Sequence, residues 1–386
     1  MTLRIGIDAR AAAEEKGGRG TMVRELLAAL ARSSAPHRFE LYARTAWHGA
    51  ALDGRFRWRL TRQGDPWWNV RAGAGAHEAC DVFLSTNSYL TAWFTRVPTV
   101  LVVCDLVAFD DALAPQRRAR LIERATLPLA VRRADRIAAI SRATADDLAR
   151  RFPAAATKTA VTPLAADPAF ATAPATDAPE LVERHGITRP YVLAVGTLEP
   201  RKNLPRLIEA FAALPAGLRA AHELVLVGAT GWQTDATLQA IAAHDDAVRA
   251  LGHVSEPDLR GLYRGAALFA YPSLYEGFGL PVLEAMTAGV PVVTSHVSSL
   301  PEVAGDAALY CDPRDVGSIR DALALGLTDR VLARELVERG RARAAVFSWE
   351  RHVAETLALI EDAARRRAGT RAATGAGARR GRRARA

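Results

Sequence analysis

The chain has 386 residues, 49% of them apolar and 24% charged, a length too great for one ordinary core and comfortable for two packed domains. That composition is globular and excludes disorder across most of the chain. The net charge of +9 sits at one end: residues 365–386, RRRAGTRAATGAGARRGRRARA, hold nine arginines and no acid, so the remainder sums to 9 − 9 = 0.

No run approaches the ~20 apolar residues needed to span a bilayer. The opening MTLRIGIDAR enters strand-like alternation at once and lacks the apolar region of a secretion signal. Cys80, Cys104 and Cys311 are widely spaced and odd in number, which gives neither a disulfide framework nor a metal-ligand pair. A cytoplasmic protein in a reducing compartment is the expectation.

Short β-branched runs alternate with amphipathic stretches, the pattern of parallel sheets covered by helices, and the pattern occurs twice. The first half predicts strands at 3–8, 38–44, 81–86, 99–106, 136–141 and 158–163, with helices from about Gly20 to Ser33, ending near Ala134, and ending at Phe152. Residues 64–75, GDPWWNVRAGAG, read as a loop whose Trp67 and Trp68 either meet an acceptor or pack inside the protein. Prolines at 168, 174 and 179 without apolar periodicity place an interdomain linker at 171–188. The second half predicts strands at 191–198, 223–228, 248–252, 266–273, 290–295 and 308–313, with helices from Leu204, near 234–244, from Glu256 and from near Gly279. The expected domains are therefore 1–170 and 189–347, a returning helix at 348–364, and a disordered basic tail at 365–386. That tail is either a solvated end or an attachment to anionic lipid head groups. The neutral body, with no interleaving of aromatic and basic residues, argues against a nucleic-acid partner, the non-enzymatic alternative.

Ligands of open α/β sheets bind beyond the carboxyl ends of strands, so the loops there carry the candidate residues. After YVLAVG, the loop TLEPRKNL sets Arg201 and Lys202 just before a helix, where side-chain charge and amide dipoles act together on a diphosphate. Gly17, Gly18 and Gly20 precede the first long helix with a spacing that fits neither the dinucleotide fingerprint nor the P-loop, and a plain flexible loop also accounts for them. In YPSLYEGFGLPVLEAM, Gly277 and Gly279 allow a tight turn, Pro281 suits a first helical turn, Glu276 lies in the loop and Glu284 on the helix. A carboxylate accepts two hydroxyls of a diol, whether on a ribose or on a sugar ring. Equally, Glu276 fits a surface loop and Glu284 fits a charge complementing the helix dipole. The residues alone leave both readings open.

The segments GTLEPRKNLPRLIEAF, GHVSEPDLRGLYRGAALFAYPS, YEGFGLPVLEAMTAGVPVVTS, SLPEVAGDAALYCDP and FSWERHVAETLALI resemble, in order and spacing, the family 4 retaining glycosyltransferases. The likeness runs from about Leu3 to Ala364 and is densest in the second half. It implies the GT-B fold, an α/β architecture of two Rossmann-like doubly wound domains facing a cleft. Carried over by position, Glu284 binds the nucleotide ribose, Glu276 contacts the donor sugar, and Lys202 with Arg201 neutralises the diphosphate. Backbone near Gly196, Phe278, Gly279 and Leu280 lines the donor, Gly18 approaches it from the first domain, and Asp105 is a further site carboxylate. Four positions depart from the family: Thr197 stands where an arginine is common, Cys104 where a histidine precedes Asp105, and Ser298 and Ser299 where glycines are common. Cys104 is either a smaller neutral substitute or, as we favour here, a core thiol.

The resemblance implies a sugar, with mannose from GDP-mannose preferred, moved to a glycan or lipid-linked glycan acceptor with retention and without metal or other cofactor. A nucleotide-sugar epimerase, or another enzyme of the same GT-B architecture such as a phosphorylase, is the alternative among enzymes. A basic tail at the inner face of the membrane fits a lipid-carried acceptor.

Overall fold

The structure is a computed structural model describing residues 2–15, 17–86, 89–113, 117–172, 181 and 183–383. It divides into two compact units: Met1–Leu106 with Arg118–Pro163 and Trp349–Ala386, and Val107–Arg117 with Leu164–Ser348.

In the first unit, β1 (Arg4–Asp8), β2 (Arg38–Ala43), β3 (Phe56–Leu60), β4 (Val82–Ser85), β5 (Thr99–Val103), β6 (Arg136–Ala139) and β7 (Thr159–Val161) form one sheet in the order β3-β2-β1-β4-β5-β6-β7. Every pairing is parallel. The strands β4, β5 and β6 are buried along their whole length, as expected of a parallel sheet covered on both faces. The helix Trp349–Arg383 packs on this sheet and on the helix Gly18–Arg32. Its buried residues Trp349, His352, Val353, Thr356, Ile360 and Ala363 recur at three- and four-residue intervals, one stripe of a helix.

The second unit repeats the plan with β8 (Tyr191–Val195), β9 (Glu223–Val227), β10 (Val248–Gly252), β11 (Leu268–Tyr271), β12 (Val292–Ser295) and β13 (Leu309–Cys311) in the order β10-β9-β8-β11-β12-β13, again all parallel. Val192, Leu207, Phe211, Leu226 and Leu323 form part of its core. In each unit the strand order reverses once, between β1 and β4 and between β8 and β11. At such a reversal the neighbouring loops part and open a crevice above the carboxyl ends.

Several expectations need correction. The predicted loop 64–75 is mostly helix, Trp67–Ala79, and it treats its two tryptophans differently. Trp68 is fully buried with the Arg10 guanidinium 3.6 Å from its ring centroid, whereas Trp67 is 65% exposed. The strand β3, with the alternating sequence FRWRL, is absent from the predicted set although its period is plain. The first unit ends at Pro163 rather than at 170. Asp167 already pairs with Arg260 at 2.6 Å and Phe170 meets the Tyr263 ring edge-on, so this stretch is folded into the second unit. Of the predicted linker, residues 173–180 and 182 lie outside the described residues. The last helix runs unbroken to Arg383 instead of giving way to a tail at 365. Alanine and arginine are among the strongest helix formers, which suits continuation of a helix already begun.

One buried network at the end of β1 has no counterpart in the predicted set. Arg10 donates to Asp8 Oδ2 at 2.9 Å and to Asp65 Oδ1 at 3.0 Å, Asn69 Nδ2 donates to Asp65 Oδ1 at 2.8 Å, and Thr91 donates to Asn69 Oδ1 at 2.8 Å. Removing one member strands the opposite charge in a dry site. Arg10→Ala is therefore expected to cost about 3–5 kcal/mol, read as a lowered denaturant midpoint.

Candidate functional site at the β8–β11 reversal

The reversal between β8 and β11 gathers most of the predicted donor-site residues of the second unit. Arg201 and Lys202 lie on a single 3-10 turn, Pro200–Lys202, in the loop after β8, and Glu276 lies in the loop after β11. Lys202 Nζ donates to Glu276 Oε1 at 2.7 Å and Arg201 Nη1 donates to Glu276 Oε2 at 2.5 Å. Lys202 also hydrogen-bonds the Tyr271 hydroxyl. Arg201 Nε in turn contacts Glu199 Oε1 at 2.5 Å, a carboxylate the sequence did not single out. Four charges, two of each sign, thus share one nearly dry site, with Glu199, Lys202 and Glu276 all buried.

Local geometry explains why these loops hold together. Asn203 adopts the left-handed region at φ 60°, which ends the turn and starts the helix Leu204–Ala212. Its side-chain amide donates to the carbonyls of Pro272 at 3.0 Å and Pro313 at 2.6 Å, and Leu274 N donates to the Arg201 carbonyl at 2.7 Å. The loop after β8 is therefore stitched to the loop after β11. On the other side, the Glu276 amide donates to Ser298 Oγ at 2.9 Å, and the Ser299 hydroxyl lies within donating distance of the carbonyls of Glu276 at 3.0 Å and Phe278 at 2.7 Å. Ser298 and Ser299, the two departures from family glycines, here brace the glutamate loop.

Gly279 caps the helix Leu280–Ala288 at φ 106°, where a side chain is strained, and a Cβ there would lie 2.8 Å from Leu300 Cδ2. Phe278 is buried with its ring edge-on to Phe347, and Leu280 is buried at the first helical position, so these two side chains serve packing and leave only their backbone to a ligand. Gly196 follows β8 at φ 151°, with the Lys202 side chain 3.0 Å from the place a Cβ would take.

Glu284 stands on that helix, partly exposed, and accepts a 2.8 Å hydrogen bond from the Tyr263 hydroxyl on the helix Glu256–Gly265. The two glutamates are tuned in opposite directions. Burial alone would raise Glu276, but Arg201 and Lys202 outweigh it and hold the carboxyl down at about 2. Burial raises Glu284 to about 7, with Asp167 and Glu256 adding repulsion and the Tyr263 hydrogen bond and Lys202 opposing it. Lys202 itself is lowered, by burial first and Arg201 next, against the pull of Glu276.

The remaining predicted residues belong to the first unit. Gly18 opens the helix Gly18–Arg32 with free space around its α-carbon, whereas a Cβ on Gly20 would lie 1.9 Å from the Glu15 carbonyl oxygen. Packing thus demands the third glycine and leaves the first two open to approach. Asp105 follows β5 and shares a charged group with Arg19, Cys104, Tyr89 and Glu123. Burial pushes the Cys104 thiol up to about 11 against the pull of Arg19. Cys104 is a neutral thiol in a polar group, neither a reactive thiolate nor a fully buried core residue. Burial, with Asp105, raises Glu123 to about 7. Neither Arg19 nor Glu123 carried a sequence signal, because an arginine and a glutamate inside amphipathic helices read as solvated faces.

Two family models match the chain: one described as glycosyl transferases group 1 over residues 177–343, the other as glycosyltransferase family 4 over residues 16–170. O-antigen chain mannosyltransferase B of Escherichia coli is 46% identical over 169 residues, 43% of this chain and 44% of that protein. The MMP alpha-(1->4)-mannosyltransferase of Mycolicibacterium hassiacum is 33% identical over 188 residues, 47% of this chain and 45% of that one. The matches span less than half the length of these curated relatives. Among solved structures, a sucrose-phosphate synthase from Thermosynechococcus elongatus superposes with a TM-score of 0.74 at 21% identity, covering 93% of this chain and 98% of that one. Anabaena HepE in complex with UDP and glucose gives 0.73 at 20% identity, covering 92% and 99%. At these identities the likeness is one of fold, the two parallel α/β sheets of the GT-B type.

The opposed tuning of the two glutamates is directly measurable. Carbon-13 titration of the side-chain carboxyls should find Glu276 ionised down to about pH 2 and Glu284 changing charge near pH 7. Both carboxyls titrating in the ordinary range near 4 would contradict the buried geometry.

Proposed function

The chain belongs to the family 4, group 1 glycosyltransferases, and from that premise we propose that it moves a mannosyl residue from a nucleoside-diphosphate sugar to a hydroxyl of a glycan or lipid-linked glycan, with retention of configuration. The observation that carries this reading is the meeting of Lys202, Arg201 and Glu276 at the β8–β11 reversal, with Glu284 on the next helix. A leaving nucleoside diphosphate accumulates negative charge, and cations fixed beside it stabilise that charge without reorganising. Lys202 and Arg201 are such cations. Glu284 receives the ribose diol, and Glu276, paired with both cations, orients the donor sugar while its partners are shared with the diphosphate.

The bond from the anomeric carbon to the phosphate oxygen breaks as the acceptor oxygen bonds the same face. The acceptor's proton passes to the departing phosphate, so every charge and atom is accounted for without a protein nucleophile. Glu276 resembles the nucleophile of a retaining hydrolase, yet both its oxygens are occupied by Arg201 and Lys202, which suits orientation better than attack. The cations take the place that a divalent metal holds in other sugar-nucleotide enzymes, so no metal is required. Mannose is the preferred sugar, supported by the two relatives named as mannosyltransferases, and GDP is the nucleotide we propose to carry it.

The acceptor side of the proposal places the enzyme at an anionic membrane surface through the arginines of 365–386. Among the described residues no helix is long and apolar enough to cross a membrane.

Two experiments test the reading. A panel of nucleotide sugars screened by thermal shift should single out GDP-mannose, since a ligand that binds only the folded state raises its melting point. In a transfer assay with that donor, Lys202→Gln should lower kcat/KM by roughly a hundredfold or more, and chelation with EDTA should leave turnover unchanged. Turnover abolished by EDTA and restored by a divalent ion would refute the metal-free assignment.

A further inference from the structure

We propose that Tyr263 is a positioning residue whose phenol holds the Glu284 carboxylate in the orientation that receives the donor's ribose hydroxyls. The inference rests on the ribose role given to Glu284 above and adds a residue to which neither the sequence motifs nor the relatives assign a part.

The geometry supports a fixed donor. Tyr263 is fully buried, and its ring is held edge-on to Phe170 at 5.2 Å between centroids and tilted against Phe269 at 5.3 Å. Its hydroxyl donates to Glu284 Oε2 at 2.8 Å. Among the described residues this is the one hydrogen bond to the Glu284 side chain, so Oε1 and the outer lone pairs of Oε2 remain open. Burial, together with the neighbouring carboxylate, keeps the phenol protonated far beyond its ordinary range, so it stays a donor at any working pH. A carboxylate fixed on one oxygen by a rigid donor presents the other to a diol without searching rotamers.

The surrounding charges make that single bond matter. Asp167, before the short helix Ala169–Thr172, and Glu256, on the same helix as Tyr263, both repel a negative charge on Glu284, while Lys202 attracts it. Arg260 is engaged by Asp167 at 2.6 Å and Glu256 at 3.7 Å, which blunts their repulsion. Only the ionised carboxylate accepts both hydroxyls of a diol, and the phenol favours that form against burial.

Tyr263→Phe removes the donor and keeps the ring, so the core it packs into is retained. Binding of GDP, and of UDP in parallel, is measured calorimetrically between pH 5.5 and 8.5, with steady-state transfer from GDP-mannose alongside. Wild-type affinity should fall as pH drops through about 7, where Glu284 gains its proton, and Glu284→Gln should bind weakly at every pH. Tyr263→Phe should raise the donor KM roughly tenfold, the worth of a hydrogen bond to a charged group, with kcat within about twofold. Its affinity should begin to fall at a higher pH than in the wild type, since a bond favouring the ionised form is gone. A 3-fluorotyrosine placed at 263 keeps the full side chain and donates more strongly, so it should move that pH downward; this second variant serves if the phenylalanine form folds poorly. Unchanged affinity and an unmoved pH dependence in both variants, with Glu284→Gln still impaired, would overturn the role of Tyr263 and leave the ribose assignment standing. Glu284→Gln binding nucleotide as the wild type does would overturn the ribose assignment and the positioning role with it.

Discussion

The second unit is organised around one interaction, the buried contact of Glu276 with Lys202 and Arg201. Burying an ion pair costs desolvation that mutual attraction barely repays, so such a pair is poor evidence of a device for stability. Here two cations and two carboxylates sit together, and the backbone is built to keep them so. Asn203 takes a left-handed conformation to reach the carbonyls of Pro272 and Pro313, and the glutamate loop is braced by Ser298 and Ser299. Strain and desolvation concentrated where the strand order reverses are characteristic of a place that handles a charged ligand.

Eight positions along the same stretch, Glu284 shows the contrary solution. The residue type is identical, and Glu276 is the more deeply buried of the two, yet its carboxyl is held at about 2 and that of Glu284 pushed to about 7. What differs is the company: two cations for Glu276, a phenol and two acidic neighbours for Glu284. Environments that drive like groups apart in this way assign them different work. Glu276 is held ionised by two cations that occupy both its oxygens, whereas Glu284 accepts a single hydrogen bond from Tyr263.

Local chemistry was legible in the sequence, and long-range partnership was not. Strand positions, the turn at Gly279 and the cation pair before Leu204 follow from residue type and spacing over fewer than ten positions, and, β3 apart, the structure places the strands within about three residues of their expected ends. Tyr263 and Glu199 give no such signal, because a tyrosine in an amphipathic helix and a glutamate in a loop look ordinary until the chain has folded. The same holds for Arg10, whose partners Asp65 and Asn69 lie far along the chain. The helix Trp67–Ala79 was hidden by Gly73 and Gly75, which lower its propensity while a Cβ on Gly73 would meet Phe94 at 2.7 Å. There the glycine serves close packing, and tertiary contact overrides the local preference.

The departures from the family pattern take on meaning from the charge count at the site. Thr197 replaces a common arginine, and its methyl lies 2.8 Å from where a Cβ on Gly231 would stand, so this side chain is turned to the loop after β9. A guanidinium is nonetheless present, carried by Arg201 from four positions further on and aimed at Glu276 by Glu199. With Glu199 and Glu276 against Arg201 and Lys202, the ligand-free cluster is neutral. On the proposed reading, an incoming diphosphate competes with carboxylates already in place for the same two cations. Such an exchange costs less than stripping water from free cations, because the protein has borne that desolvation during folding. It also favours ligands that bring two negative charges and hydroxyls to occupy the carboxylates they displace, which a sugar nucleotide does and inorganic phosphate does not.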